Sequence, residues 1–119
     1  MAEKKNKLVE TIVEGMLEKK AYDVVTLDMA KIPNAICNFF VICHADSSTH
    51  VGTIADFVEA NTKQKLKERV WMKEGHTNSQ WILLDYGNVV VHIFQREQRE
   101  FYNIEGLWAD AKVKMYKES

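Results

Sequence analysis

The chain of 119 residues contains only two cysteines and one proline, and neither sign of charge dominates. Lys and Arg number 16 against 17 Asp and Glu, so the net charge is −1. Binding nucleic acid by general attraction to phosphate needs a basic excess, so the balance argues against that class, although local basic patches remain possible. No sequence-specific nucleic-acid binding is expected. No apolar run approaches the roughly 18 residues of a membrane span, and the N-terminal segment lacks the apolar stretch of a secretory signal. We therefore predict a cytoplasmic protein with no membrane partner.

The few cysteines and histidines form no recognisable metal or catalytic motif. On one extended strand, Cys37 and Cys43 would lie about 20 Å apart, too far for a disulfide, so we predict reduced thiols. Their spacing, and that of His44 and His50, matches no compact zinc signature. A G-x-S-x-G sequence, a P-loop and a G-x-G-x-x-G sequence are all absent. The sequence thus predicts no catalytic residues, no metal site and no cofactor.

The length fits one domain, predicted over residues 1–119 with a core at about 8–112 and a polar C-terminal tail. Two apolar series, each with a spacing of four residues, predict an amphipathic helix over residues 4–20. Runs of apolar residues predict strands over 23–29 and 38–44, the second covered on both faces. The two helical series are Leu8, Ile12, Met16 and Val9, Val13, Leu17.

A second helix is predicted to follow residues 46–48, where Asp46, Ser47 or Ser48 can cap its N-terminus. Its C-terminal end carries four cations, where positive charge suits the helix dipole. A solvated helix end is the favoured interpretation of this cluster, and a nucleic-acid patch is the alternative. The four cations are Lys63, Lys65, Lys67 and Arg69.

The C-terminal half predicts a β-hairpin. A short strand over 70–73 precedes strands over 81–85 and 89–94, which are joined through Gly87 and Asn88, residues that tolerate positive φ. A helical stripe then predicts a third main helix. The class is α/β (α+β), with a mixed sheet of four to five strands flanked by three main helices. The stripe consists of Phe101, Ile104, Leu107, Trp108 and Ala111.

The hairpin is apolar on both faces except at Asp85, Tyr86 and His92. Asp85 and His92 can approach across the hairpin, but no serine or cysteine nucleophile is near. We therefore interpret His92 as a hydrogen-bonded structural residue. A hairpin face left uncovered, bearing Trp81 and Tyr86, would be a protein interface. Cover by the C-terminal helix is the alternative.

The hairpin contains the motif D-Y-G-x-V-V-V-H-x-F, which is followed by R-x-F-Y-x-x-E-x-L-W. The runs KKAYDVVTLDM and NFFVICHADSSTHVGTIAD precede them in the chain. With these segments the chain resembles the ribosomal silencing factor family, also called the Iojap family, from about Leu8 to Trp108. The chain departs from the family pattern at Asn38 and at His44-Ala45.

The resemblance implies a fold like that of the nucleotidyltransferases without their activity. It implies a translational repressor that binds the large ribosomal subunit through large-subunit ribosomal protein fourteen and blocks joining of the small subunit. A role in large-subunit maturation and formation of homodimers are implied as well. The stretch HADSSTHV lacks the Gly-Ser pair of a transferring enzyme, and no D-x-D lies nearby. A residual nucleotide-binding or nucleotidyltransferase-type enzyme is the alternative.

The resemblance also assigns residues to the partner site. Four residues of the hairpin carry the partner-binding role: Trp81, Leu83, Asp85 and Tyr86. Met72 and Lys73 are weaker candidates. Four further motif residues are interpreted as holding the last helix to the sheet: Arg99, Tyr102, Glu105 and Trp108.

Overall fold

The computed structural model describes residues 6–116, which form helices on a β-sheet. In chain order the elements are α1 (Lys7–Glu18), β1 (Tyr22–Asp28), β2 (Phe39–Ala45), α2 (Ser48–Leu66), β3 (Met72–Glu74), β4 (Trp81–Asp85), β5 (Val89–Gln95), α3 (Arg96–Tyr102), α4 (Ile104–Leu107) and β6 (Lys112–Tyr116). No helix in this part of the chain is long and apolar enough to cross a membrane.

One mixed sheet contains the strands in the order β3-β4-β5-β2-β1-β6. The central pair, β5 and β2, is parallel, and each other neighbouring pair is antiparallel. Nearly every residue of these two central strands is buried. Their sequences are apolar on both faces because protein covers the middle of the sheet on both sides. The predicted class, α/β with a mixed sheet, is confirmed.

Helices α1 and α2 cover one face of the sheet. The side chain of Asn6 accepts a hydrogen bond from the Val9 N–H at 3.1 Å and begins α1. The hydroxyl of Ser47 accepts one from the His50 N–H, also at 3.1 Å, and begins α2. Such caps satisfy backbone donors that a helix start leaves free. The helices pack on inward-facing strand residues that include Val24, Val41, Cys43, Val91 and Ile93.

Loops and short helices cover the opposite face. Met29 and Cys37, from the β1–β2 connection, and Ile104 and Ala111, from the region of α4, pack on this side. They bury sheet residues that include Val25, Leu27, Phe40, Ile42 and Phe94. Their cover is incomplete on β4, where Trp81 and Leu83 remain partly exposed. This face of the hairpin is thus partly covered, without a long helix lying across it.

The predicted count of four to five strands is wrong, because the sheet has six. The additional strand is β6, which pairs with β1 from Val24↔Tyr116 to Asp28↔Lys112. Its residues follow the predicted helical stripe, which ends at Ala111, and include part of the predicted polar tail. Every residue of β6 except Tyr116 is exposed, so the strand has no buried face to reveal it. Residues 117–119 of that tail lie outside the described part of the chain.

The prediction of one continuous C-terminal helix is also wrong. Asn103 has a positive φ of 45° and separates α3 from α4, which is only four residues long. A left-handed residue interrupts the helical repeat, so side chains spaced for one face no longer share it. Phe101 and Leu107, two members of the predicted helical stripe, are 79% and 75% exposed, whereas Ile104 is buried.

The other predicted elements are observed with small shifts of their ends. Helix α1 lies within the predicted range of 4–20, whose first two residues fall outside the described part. The strand predicted at 38–44 is Phe39–Ala45, and the one predicted at 70–73 is Met72–Glu74. The predicted hairpin strands coincide with β4 and β5 to within one residue.

Both cysteines are free thiols, as predicted, and both are buried. Cys37 precedes β2 and only Cys43 lies on it, so the separation estimated for a single strand does not apply. Burial raises the pKa of the Cys37 thiol to about 11 and that of Cys43 to about 12. Both groups are therefore protonated and unreactive at neutral pH.

Candidate protein-binding face

A tight turn fixes the β4–β5 hairpin. Gly87 has a φ of +91°, a conformation that side chains disfavour. The Asp85 carboxylate accepts a hydrogen bond from the Gly87 N–H at 2.8 Å. The Tyr86 N–H donates to the Val89 carbonyl, also at 2.8 Å. These bonds set the register of the hairpin and hence which side chains share a face.

The six candidate partner-binding residues separate onto the two faces of the sheet. Trp81 and Leu83 pack with the loop-covered core, and Met72 pairs with Asp85 on the neighbouring strand. Tyr86 belongs to the helix-covered side, where its hydroxyl is 2.8 Å from that of Thr62 in α2. Lys73 also faces α2, since its ammonium lies 3.1 Å from the Glu59 carboxylate. The candidates therefore do not form one surface.

Trp81 instead shares its surface with residues of α3. The rings of Trp81 and Tyr102 are 4.8 Å apart, and those of Tyr102 and Phe101 are 5.0 Å apart. Tyr102 is 47% exposed and Met72 43%. We call this partly exposed surface the aromatic face; it comprises Met72, Trp81, Leu83, Phe101 and Tyr102. Neither ring was predicted at a partner site, because Tyr102 was expected to hold the last helix to the sheet and Phe101 belonged to the predicted helical stripe.

Two residues of β5, His92 and Phe94, hold Trp81 in place. Its indole N–H donates to Nδ1 of the buried His92 at 3.1 Å, and its ring lies 4.8 Å from that of Phe94. The interpretation of His92 as a hydrogen-bonded structural residue is confirmed. Because Nδ1 accepts, the imidazole carries its proton on Nε2, which is buried without a partner.

Asp85 and His92 do not form a hydrogen-bonded pair. Asp85 lies opposite Val90 in the hairpin register, and His92 lies opposite Leu83. The Asp85 carboxylate is used in the turn and His92 Nδ1 by Trp81. Within residues 6–116, no group of three His, Cys, Asp or Glu side chains is arranged to hold a metal ion.

The family model described as "Ribosomal silencing factor during starvation" matches residues 2–119. The chain belongs to the ribosomal silencing factor family. The resemblance seen in the hairpin motif is thereby confirmed, and the family supports a role in ribosome silencing.

Individual relatives agree with this membership. The ribosomal silencing factor RsfS of Halalkalibacterium halodurans is 38% identical over 104 residues, which cover 87% of each chain. That of Bacillus subtilis is 37% identical over 96 residues, or 81% of this chain and 80% of the relative. A crystal structure from Chromobacterium violaceum superposes with a TM-score of 0.81 at 28% identity, covering 87% of this chain and 84% of that one.

In this member of the silencing factor family, Arg99 joins α3 to both the sheet and α4. Its guanidinium donates to both Glu105 carboxylate oxygens, at 3.0 and 2.9 Å. It also donates to the Asp23 carbonyl at 2.8 Å and to His44 Nδ1 at 2.9 Å. Asp23 lies at an irregularity in the β1–β2 pairing and has a φ of 49°. The packing role predicted for Arg99 and Glu105 is confirmed.

Tyr102 and Trp108, the other two residues predicted to hold the last helix to the sheet, lie in different surroundings. Tyr102 belongs to the aromatic face, whereas Trp108 is half-buried with its ring edge-on to Phe40 at 6.1 Å. His44, where the chain departs from the family pattern, is buried and bonded to Arg99. Burial and the charge of Arg99 lower the pKa of His44. This position therefore serves the packing of α3.

Protonation of His92 is expected to destabilise the fold in mild acid. Burial lowers its pKa from 6.5 to about 4. Between these values the unfolded chain binds more protons than the folded one, so the free energy of unfolding falls as pH falls. From this residue we expect a loss of about 2 kcal/mol between pH 7.5 and pH 5, measured by urea unfolding.

The control for this prediction is His92→Asn, whose amide oxygen can accept the Trp81 hydrogen bond without titrating. The variant keeps His44, which shifts in the same direction, so the difference between the two proteins isolates His92. An equal loss in both proteins between the two pH values would contradict the assignment.

Proposed function

We propose that the protein is a translational repressor that binds the large ribosomal subunit through large-subunit ribosomal protein fourteen and blocks joining of the small subunit. The observation that carries the proposal is the aromatic face, a partly exposed apolar surface on a member of the silencing factor family. Repression takes place in the cytoplasm, where the subunits join. A role in large-subunit maturation belongs to the same proposal, because it needs the same contact.

The aromatic face has the composition of a protein-binding surface. Aromatic residues and Met are enriched where proteins meet, and charged residues are depleted from the centre of such surfaces. The His92 hydrogen bond and the Phe94 contact hold Trp81 in one orientation. The Trp81 side chain therefore loses little conformational entropy when a partner covers it. Met72 adds a flexible side chain that adapts to the partner's shape.

Asp85 supplies the acidic contact at the border of this face. It pairs with Met72 across β3 and β4, and its carboxylate keeps acceptor positions beyond the one used by Gly87. A basic ribosomal protein complements this charge, which makes the association sensitive to salt. Tyr86 and Lys73 point to the other face, so they contact the same partner only where it extends around the edge formed by β3.

A subunit-joining experiment tests the proposal. Purified subunits are mixed with increasing protein and separated on a sucrose gradient. We expect the peak of joined ribosomes to decline while the protein sediments with free large subunits. Undiminished joining, with the protein bound to the large subunit, would contradict the blocking step. Absence of the protein from that fraction would contradict the proposal as a whole.

We also propose that the protein is not an enzyme and uses no cofactor. The alternative, a residual nucleotide-binding or transferring enzyme, follows from the nucleotidyltransferase-like fold that the family resemblance implied and that remains a prediction. In the helix start where such an enzyme has its Gly-Ser pair, Ser47 caps α2. Calorimetric titration with nucleotide and magnesium separates the two: saturable binding at micromolar affinity would favour the alternative.

Homodimers form a further part of the proposal. The exposed side chains of Val113 and Met115 lie on β6, at an edge of the sheet. An edge strand with exposed apolar residues can pair with a second copy. Sedimentation velocity over a range of protein concentrations measures this association.

A further inference from the structure

Three cations at the C-terminal end of α2 surround a surface depression. It has a volume of about 470 Å³ and is lined by Ala60, Lys63, Gln64, Lys67 and Arg69. All five residues are exposed. Between residues 6 and 116, no carboxylate lies within 4.0 Å of the charged groups of Lys63, Lys67 or Arg69. The charge of this basic patch (Lys63, Lys67 and Arg69) is therefore not neutralised by ion pairs.

Neighbouring cations behave differently. Lys65 lies 4.0 Å from Glu14, and Lys73 lies 3.1 Å from Glu59. Glu68 lies between Lys67 and Arg69 in sequence, and its charge contributes to the raised pKa of the Tyr86 phenol. The positive charge of the patch is thus concentrated around the depression.

An exposed tryptophan stands next to this basic patch. Trp71 is two residues beyond Arg69 and is 76% exposed. Its backbone N–H donates to the Asp85 carbonyl at 2.8 Å, which ties this part of the chain to the hairpin. Among residues 6–116, its ring makes no close contact with another aromatic ring. The fold therefore fixes the backbone of Trp71 and leaves its ring to solvent.

We infer that the basic patch and Trp71 bind single-stranded RNA, with the cations on phosphates and the indole stacked on a base. Cations beside an exposed aromatic ring are the two components of single-strand recognition, and stacking needs no particular base. An acidic protein would also use the cations, and the two substitutions of Trp71 below test whether the indole stacks on a base. Because the net charge is −1, RNA binding requires such a local concentration of positive charge.

The position of the patch suits a partner made of both RNA and protein. Trp71 directly precedes Met72 of the aromatic face, so the two surfaces lie on opposite sides of the sheet edge formed by β3. A ribosomal protein on one surface and RNA on the other could be engaged together. The inference does not depend on the proposed contact with ribosomal protein fourteen, because RNA binding can be measured without ribosomes.

Fluorescence anisotropy with a labelled oligouridine of about 15 nucleotides, near the upper site size for such grooves, tests the inference at low salt. The combined variant Lys63→Gln, Lys67→Gln, Arg69→Gln is expected to bind at least tenfold more weakly. Its plot of log affinity against log salt should be less steep by about 2, the value for three lost phosphate contacts on a single strand. The matched control is Lys31→Gln, Lys112→Gln, Lys114→Gln, which removes three exposed cations elsewhere and should bind normally.

Two substitutions of Trp71 test stacking separately from charge. Trp71→Leu keeps an apolar side chain but removes the aromatic surface, and we expect affinity to fall about fivefold or more. Trp71→Phe retains a ring and should bind within about twofold of the original. Equal losses in both variants would show that the indole acts through something other than stacking and would overturn its assignment.

Other results overturn the RNA assignment itself. One is that the unmodified protein shows no measurable oligouridine binding at low salt. The other is that the control triple variant loses as much affinity for oligouridine as the patch variant. Loss of large-subunit binding by the patch variant, with unchanged oligouridine binding, would identify an acidic protein as the partner. The Trp81→Ala variant is expected to bind oligouridine normally. Oligouridine binding therefore tests the RNA inference even where the proposed contact with the large subunit is wrong.

Discussion

Trp81→Ala is expected to weaken co-sedimentation with the large ribosomal subunit by about 30-fold or more. Aromatic anchors at the centre of an interface commonly lose about 2 kcal/mol or more on truncation. Trp81 fits that role because its ring is fixed on Phe94 and His92 and borders the exposed Tyr102. The measurement is the bound fraction at increasing concentrations of purified large subunit, and the same variant should no longer block joining.

Because Trp81 also contacts the core, its replacement must be accompanied by an unfolding measurement. Phe101→Ala tests the same face at a side chain that is 79% exposed, so stability should not change. Met115→Ala is the matched control, since Met115 is 73% exposed on β6 at the far edge of the sheet. Because Met115 also belongs to the proposed dimer contact, the control is compared at a protein concentration where sedimentation velocity gives the same association state for both proteins. If folded Trp81 and Phe101 variants bind the subunit fully, the partner site lies elsewhere.

Arg99→Ala should lower the free energy of unfolding by about 3 kcal/mol, because it leaves a partly buried carboxylate without its cation. The Arg99 side chain is 11% exposed and that of Glu105 32%. The substitution also leaves the carbonyl of Asp23 and Nδ1 of His44 without their donor. Arg99→Lys is expected to recover little, since an ammonium cannot bond both carboxylate oxygens in the same planar geometry.

Arg96→Ala is the matched control for this prediction. Arg96 forms an ion pair of 2.7 Å with Asp46, but the two side chains are 45% and 58% exposed. Exposed pairs contribute little to stability, so urea unfolding should show no clear change. A similar loss in both variants would mean that Arg99 acts by general charge and not through its buried hydrogen bonds.

Periodicity predicted the elements that bury a regular face. The four-residue spacing of Leu8, Ile12 and Met16 gave α1, and the apolar run ending at His44 gave β2. The hairpin followed from the positive φ that Gly87 tolerates. In each case local sequence and burial favour the same structure, so the pattern was sufficient.

The C-terminal region could not be read in this way. Its spacing suggested one helix, but Asn103 is left-handed, a conformation that Asn tolerates and that no repeat reveals. Strand β6 depends on pairing with β1, a contact distant in sequence. Its residues alternate between Lys and apolar side chains, but four are exposed, so no buried face distinguished the strand from a tail.

The candidate face was predictable only in part. Alternation along β4 placed Trp81 and Leu83 on one side, and the structure agrees. The same alternation placed Tyr86 on the opposite side of the sheet. The family motif alone does not show that Tyr86 and Trp81 lie on different faces. Tyr102 and Phe101 join the aromatic face through the position of α3 on the sheet, which the sequence of α3 alone does not determine.

The pairing of β6 with β1 affects how the protein emerges during its synthesis. At about 5–20 residues per second, a ribosome needs roughly 4–17 s to extend the chain from Asp28 to Lys112. Throughout this interval the nascent β1 lacks its outer neighbour, and its free N–H and C=O groups can pair with another chain. A translation product released before Lys112 keeps that edge open permanently. Completion of synthesis thus covers the edge of β1 and transfers the free edge of the sheet to β6.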